Sequence, residues 1–202
     1  MAEYKYNINT PAGQTVERKQ YKVYGNTGTY ESPEWHVIGR RVEDSGAEND
    51  WGGETVNDVV GDTYSTAQAP ITTQSFDSCP IDAGDAYQAK LVQLSVVERN
   101  AQALANQDLL RVHLYLTDSE GNAFAERFPS SMVLPSGPAG AGGGSLTMPV
   151  EITFGGERET GSVKPPATNS GTVVFTPDAS PVVLATSGSK VAVPSATSGS
   201  KN

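Results

Sequence analysis

The chain has 202 residues, 37% of them apolar, with Gly and Pro plentiful, which allows one domain with a core and suits strands and turns better than a helical bundle. Its net charge of −9 argues against gripping nucleic acid through phosphate. A lone cysteine, Cys79, excludes an intramolecular disulfide or a cysteine-based metal cluster. No apolar run approaches the ~18 residues of a spanning helix, and the first residues lack the apolar stretch of a secretory signal.

Residues 1–32 are polar, with turn residues at Pro11, Gly13, Gly25 and Gly28. They read as an N-terminal arm holding one short strand at 20–24. Residues 35–42, opening on Trp35, are a strand candidate, and an acidic, glycine-containing loop follows over 43–53. Residues 55–60 read as a second strand, stopped by Gly61 and Asp62. The polar stretch 64–79, with isolated β-formers such as Ile71 and Phe76, suits an extended loop or an edge strand.

A helix is predicted from Asp82, which suits a cap, with Asp85 near the positive end of the dipole. Tyr87, Leu91, Leu94 and Val97 recur at helical spacing, and fraying is expected over 100–106. A strand stays open as an alternative, because Val92, Leu94 and Val96 also alternate. Residues 110–117 are the clearest strand. Leu110, Val112, Leu114 and Leu116 share one face, and Arg111, His113, Tyr115 and Thr117 the other. A turn over 118–122 leads to a returning strand over 123–134, and 135–145 is a glycine-rich loop. Met148, Val150, Ile152 and Phe154 alternate in a half-buried strand, with a last short strand expected over 157–163. The domain is therefore placed at 33–163. Residues 164–202, rich in Pro, Ser, Thr and Gly, read as a linker or an extended C-terminal arm that packs only on a neighbour. Within it, 173–175 and 182–184 are short strands suited to another sheet's edge, and Ala-Thr-Ser-Gly-Ser-Lys recurs at 185–190 and 196–201.

Little of this pattern points to catalysis. His36 and His113 lie in strand candidates without metal-ligand spacing, and read as surface or interface residues. There is no Gly-x-Ser-x-Gly elbow, and the glycines at 137–144 lack a phosphate loop's Gly-Lys-Ser/Thr ending. The acidic stretch 44–54 lacks the residue order of a calcium loop. No metal or cofactor is expected, and no enzyme. Trp51 sits in the acidic loop, either as an interface anchor or folded back onto its own domain. From Val42 to Ala89 there is no Lys or Arg, against ten acids. Solubility alone accounts for such a face, as does a surface past which DNA slides.

Several elements in order resemble the major tail protein family of long-tailed bacteriophages. They are Trp35-His36-Val37-Ile38-Gly39, then Glu54-Thr55-Val56-Asn57-Asp58-Val59-Val60-Gly61-Asp62-Thr63, then Ile81-Asp82-Ala83-Gly84-Asp85 before a single helix. Ile152-Thr153-Phe154-Gly155-Gly156-Glu157-Arg158 and Gly171-Thr172-Val173-Val174-Phe175-Thr176-Pro177 follow. The resemblance spans about residues 33–177 in short pieces. It implies a mainly β fold, a β-sandwich or rolled antiparallel sheet with one flanking α-helix, assembling as a hexameric ring β-barrel. The rings would stack into a tail tube that conducts DNA without specific binding. The other implied partners are tape-measure and tail-tip or terminator proteins, in a virion assembled in the host cytoplasm, with no membrane. Glu54, Asp58 and Glu151 are the lumen candidates. The loops 43–53 and 64–80 would join rings, with Trp51, Asp44, Glu48, Arg111, His113 and Tyr115 as stacking or interface candidates. A second reading is a β-sandwich virion decoration or adhesin-type binding module on a flexible stalk. A third is an enzyme with an unfamiliar acidic site.

Overall fold

The structure is a computed structural model that describes residues 4–165 and 173–178. In chain order it contains β1 (Asn7–Ile8), β2 (Tyr21–Asn26), β3 (Trp35–Val37), β4 (Ala47–Asp50), β5 (Glu54–Asn57), β6 (Thr63–Thr66) and β7 (Ile71–Phe76). Then come α1 (Ala86–Val92), a π-helical turn (Gln93–Val97), α2 (Ala101–Leu104), β8 (Gln107–Thr117), β9 (Ala123–Pro135), β10 (Val150–Thr153), β11 (Glu159–Val163) and β12 (Phe175–Pro177).

Ten strands form one antiparallel sheet with the path β3-β2-β8-β9-β10-β7-β4, to which β1, β11 and β12 attach at the side. The sheet rolls because β9 is long enough to belong to two layers. Its first half pairs with β8 and β11, and its last four residues pair with β10. The expected class therefore holds: mainly β, a rolled antiparallel sheet with a helical flank, open rather than closed in the single chain.

Alternation on β8 builds two cores. Leu109 and, from β9, Phe128 and Val133 join Val23, Phe76, Val150, Ile152 and the helix residues Tyr87, Leu91 and Leu104 in the main core. Leu110 and Val112 turn the other way, onto Tyr24, Ala123, Ala125, Val163 and Val173. Each fully buried Leu or Ile contributes about 1.5–3 kcal/mol.

Several boundaries differ from the sequence expectation. The strand expected over 35–42 stops at Val37, because Gly39 and Arg41 both take positive φ, 87° and 60°. Gly39 is needed there, since a Cβ would lie 2.6 Å from the Phe76 ring. The strand expected over 55–60 ends at Asn57; Asp58 Oδ1 accepts hydrogen bonds from the amides of Val60 and Asp62 and closes a tight turn instead. The stretch 43–53, read as a loop, supplies β4, and 64–79, read as an extended loop or an edge strand, takes the strand alternative in β6 and in β7, which lies inside the sheet between β10 and β4. The helix begins one turn later than expected. Asp85, not Asp82, accepts from the Gln88 amide, while Asp82 holds the preceding turn through the Gly84 amide. Residues expected to fray after 100 form α2, capped by Asn100. Residues 173–175, read as a strand for another sheet's edge, meet their own chain. Strand β12 pairs with β11 of its own chain and Val173 is buried, covering apolar surface on that face. The 182–184 strand and the Ser/Gly repeats lie outside the described residues.

Strand β2, within the segment read as an arm, carries Val23 and Tyr24 into the two cores. Beside them, a Cβ on Gly25 would lie 2.2 Å from the ring of Tyr87, which is buried. Gly25→Ala is expected to cost about 1–3 kcal/mol through overpacking. Gly53→Ala, whose nearest contact would be an ordinary 3.7 Å, should stay within about 0.5 kcal/mol. Urea unfolding midpoints of the two variants check this.

Candidate assembly surface

Residues 44–77 of the acidic, cation-free stretch fold as one long antiparallel ribbon. At its base the Ser75 amide donates to the Gly46 carbonyl, and then β4 pairs with β7 from Ala47↔Gln74 to Asp50↔Ile71. The Gln68 amide bonds the Trp51 carbonyl, and β5 pairs with β6 from Glu54↔Thr66 to Asn57↔Thr63. The pairing shifts by a residue between these segments, as it does at bulges. At about 3.3 Å per residue, an arm from 44 to 58 spans up to about 45 Å.

Every residue of β4, β5 and β6 is exposed. Apolar side chains stand in water along the ribbon: Trp51 is 56% exposed, Ile71 59%, and the tip residues Val59 and Val60 106% and 79%. Trp51 is therefore not folded back into the core of its own domain. Exposed apolar groups gathered on one feature mark a contact surface more than scattered ones do.

The ribbon's base continues into a sheet face. Cross-strand rows run Glu48–Thr73–Thr153–Met132 and Ser75–Glu151–Leu134, and Asp50 faces Ile71. The alternate residues Val133, Val150, Ile152, Gln74 and Phe76 point into the core. The outer face thus presents Glu48, Asp50 and Glu151, with exposed Ile71, Met132 and Leu134. None of the residues these strands contribute to the face is Lys or Arg.

The other predicted positions separate. Glu54 and Asp58 stand on the hairpin rather than on this face. Asp44 lies at the ribbon's base, its carbonyl accepting from Asp77. Arg111, His113 and Tyr115, the other interface candidates, stand together in a partly buried polar cluster on β8. Arg111 and His113 side chains are only 13% and 12% exposed. The cause is Glu126 on the neighbouring strand, which pairs directly opposite Arg111.

Glu126 is buried at 4% exposure. Arg111 Nε donates to its Oε2 at 2.7 Å, His113 Nε2 lies 2.8 Å from the same oxygen, and Arg158 Nε lies 2.6 Å from Oε1. His113 Nδ1 is 3.0 Å from the Tyr115 hydroxyl. The Arg111 guanidinium also lies over Phe128 and Phe154, 5.2 and 5.1 Å from the ring centres. Tyr21 packs edge-on against His113 and donates to Gln74 Oε1, joining the two layers. Burial by itself raises the Glu126 pKa; the His113 hydrogen bond and the Arg111 and Arg158 charges outweigh it and hold the carboxyl at about 2. The only signal in the sequence was an alternating strand carrying Arg and His, opposite a returning strand carrying Glu.

Among the described residues, no three His, Cys, Asp or Glu side chains are grouped to hold a metal ion, and no helix is long and apolar enough to cross a membrane. Cys79 is buried, and burial, with the Asp85 charge, pushes its thiol up to about 11.

No family model matches the chain, and no curated protein matches it. The solved structures that resemble it in shape include two parts of one assembly. One is the sheath/tube terminator of an extracellular contractile injection system (PVC) in the extended state, at 8% identity and a TM-score of 0.45, over 74% of this chain and 99% of the other. The second is the sheath-tube complex of that system in the extended state, at 8% identity and 0.43, over 75% and 95%. At such identity and score the likeness identifies neither a family nor a function.

The Glu126 cluster makes a pH prediction. The folded pKa lies below the ordinary value of 4.5, so the stabilisation is complete above about pH 4.5 and is lost as pH falls towards 2. A shift of this size corresponds to roughly 3 kcal/mol. Glu126→Gln should lose that stability at pH 7, leaving two guanidinium groups uncompensated, and should flatten the decline between pH 4.5 and 2. Chemical denaturation across that range reads both effects.

Proposed function

We propose that this chain is a structural, non-catalytic subunit that polymerises with copies of itself into a tube of the phage-tail type. The observation that supports this best is the pairing of a cation-free acidic sheet face with a long exposed ribbon at its edge. A bore lined by Glu48, Asp50 and Glu151 would repel phosphate and let DNA pass without holding it. The open sheet leaves backbone donors and acceptors on its edge strands, which closure of six copies into a ring would pair. The ribbon would then join one ring to the next. The order of the short motifs along the sequence supports the same reading. Tape-measure and tail-tip proteins are the further partners this role requires, and a virion or similar particle is its place.

Concentrated protein should sediment as large particles and show hollow tubes with a regular axial repeat in negative stain. A monomer that persists at high concentration, even with a tail-tip initiator, would favour the binding-module alternative. Tubes of the triple variant Glu48→Lys, Asp50→Lys, Glu151→Lys should retain DNA at low salt and release it as salt rises, whereas wild-type tubes should retain none. Equal retention by both would remove these acids from the bore.

A further inference from the structure

The first and last described segments of the chain are fastened to each other. β1 is held by two pairs with β8, Asn7↔Thr117 and Ile8↔Leu116, and by the Asn9 amide, which donates to the Tyr115 carbonyl at 3.0 Å. β12 is held by three pairs with β11, from Gly161↔Pro177 to Val163↔Phe175, and β11 is its one strand partner among the described residues. Ladders this short are marginal by themselves. The residues just before β1 join the two. Tyr6 packs on Phe124 of β9 with ring centres 5.0 Å apart, and its hydroxyl donates to the Gly161 carbonyl of β11 at 3.3 Å. Lys5 Nζ lies 2.5 Å from Asp178 Oδ1, one residue past β12. Asp178 is tied to β11 in turn: its amide donates to the Thr160 carbonyl, and its Oδ2 accepts from Thr160 Oγ1. The segment held in this way covers apolar surface. Val173 is buried and Phe175 half-buried on a core that includes Tyr24, Leu110, Val112, Ala125 and Val163. Gly161 makes room for it, since a Cβ there would lie 2.3 Å from the Thr176 carbonyl oxygen and 2.7 Å from the Phe175 ring.

We propose that residues 173–178 are a lid on this second core, and that the Lys5–Asp178 pair is a latch through which the lid and the N-terminal segment 4–9 open and close as one unit. Closed, the lid keeps Val163 and its neighbours from water. Open, it uncovers them and frees the outer edge of β11. The rest of the sheet keeps its pairing, because β8, β9 and β11 hold one another without either terminal segment. The latch side chains are 59% and 25% exposed. A pair so placed adds little stability and is screened by salt, which suits a contact that opens. Ionic strength therefore sets the open fraction of the lid. This device belongs to the single chain and does not depend on the self-assembly reading.

Amide hydrogen exchange on the full chain, followed by NMR, tests it by reading each variant at the end it does not alter. Lys5→Ala should speed exchange of the Asp178 amide about three-fold, the size of effect an exposed ion pair carries. Asp178→Asn should speed exchange of the Asn9 amide by a similar factor, because coupling between two segments is reciprocal. Raising the salt to about 1 M should speed both amides in wild type, after correction for intrinsic rates, and neither in Lys5→Ala. In every case the Val112 amide, in the middle of β8, should keep its wild-type rate. A change confined to the altered end would show that the two segments open separately and overturn the latch. Unchanged exchange at both ends would overturn it as well, and so would acceleration that spreads to Val112, since the whole domain and not a lid would then be opening.

Discussion

One strand, β9, has to serve two layers, and the placement of everything else follows from how it does so. Its first half carries Ala123 and Ala125, small enough to let Leu110, Val112 and Val163 close over them. Its second half turns Val133 into the core between the layers. The change of partner occurs near Ser131, fully buried, whose Oγ donates to the Phe128 carbonyl and accepts from the Gly155 amide. Glu126 sits just before this point. A lone buried carboxylate would be costly; here it faces three cationic or potentially cationic partners drawn from β8 and from the β10–β11 connection. The same charge that has to be compensated thereby fixes the register of β8 on β9 and ties the β10–β11 turn to it.

Once β9 has delivered β10 to the second layer, β7 and β4 follow as the outermost strands. Their inner residues complete the core and their outer ones are left to water. The charges divide along the same line. Arg111, Arg127 and Arg158 are engaged with Glu126 and Asp108 around β8 and β9, whereas the ribbon and its face are acidic throughout. Beyond the edge, β5 and β6 have no third strand among the described residues and no buried side chain of their own. A two-stranded ladder of this kind is marginal in water alone. A partner surface that covered its valines would stabilise it, which connects the local weakness of the hairpin to the proposed assembly.

Elements with strong alternation could be read from the sequence. The faces of β8, the turn over 118–122 and the returning strand 123–134 are where the pattern placed them, as are the inward residues Met148, Val150, Ile152 and Phe154. The ribbon was not legible as a ribbon. Residues 47–50 and 63–66 have no buried side, so no apolar alternation marks them, and their pairing is set by backbone hydrogen bonds to 71–74 and to 54–57. Its acidity and lack of cations were visible, and Glu48 and Glu151 were named without any means of seeing that they share a face. The pairing of Arg111 and His113 with Glu126 was not legible, because a polar strand face looks the same whether it meets water or a buried carboxylate on the next strand. Asp82 and Asp85 both suit a cap, and only the three-dimensional path of the chain decided between them.

The most direct measurement is a cryo-electron microscopy map of the assembled protein in which β4, β7 and β10 can be traced. The account predicts a hollow polymer with Glu48, Asp50 and Glu151 directed into the bore and residues 58–62 against the neighbouring copy. A polymer with that acidic face turned outward, or with the ribbon tip free in solvent, would contradict it.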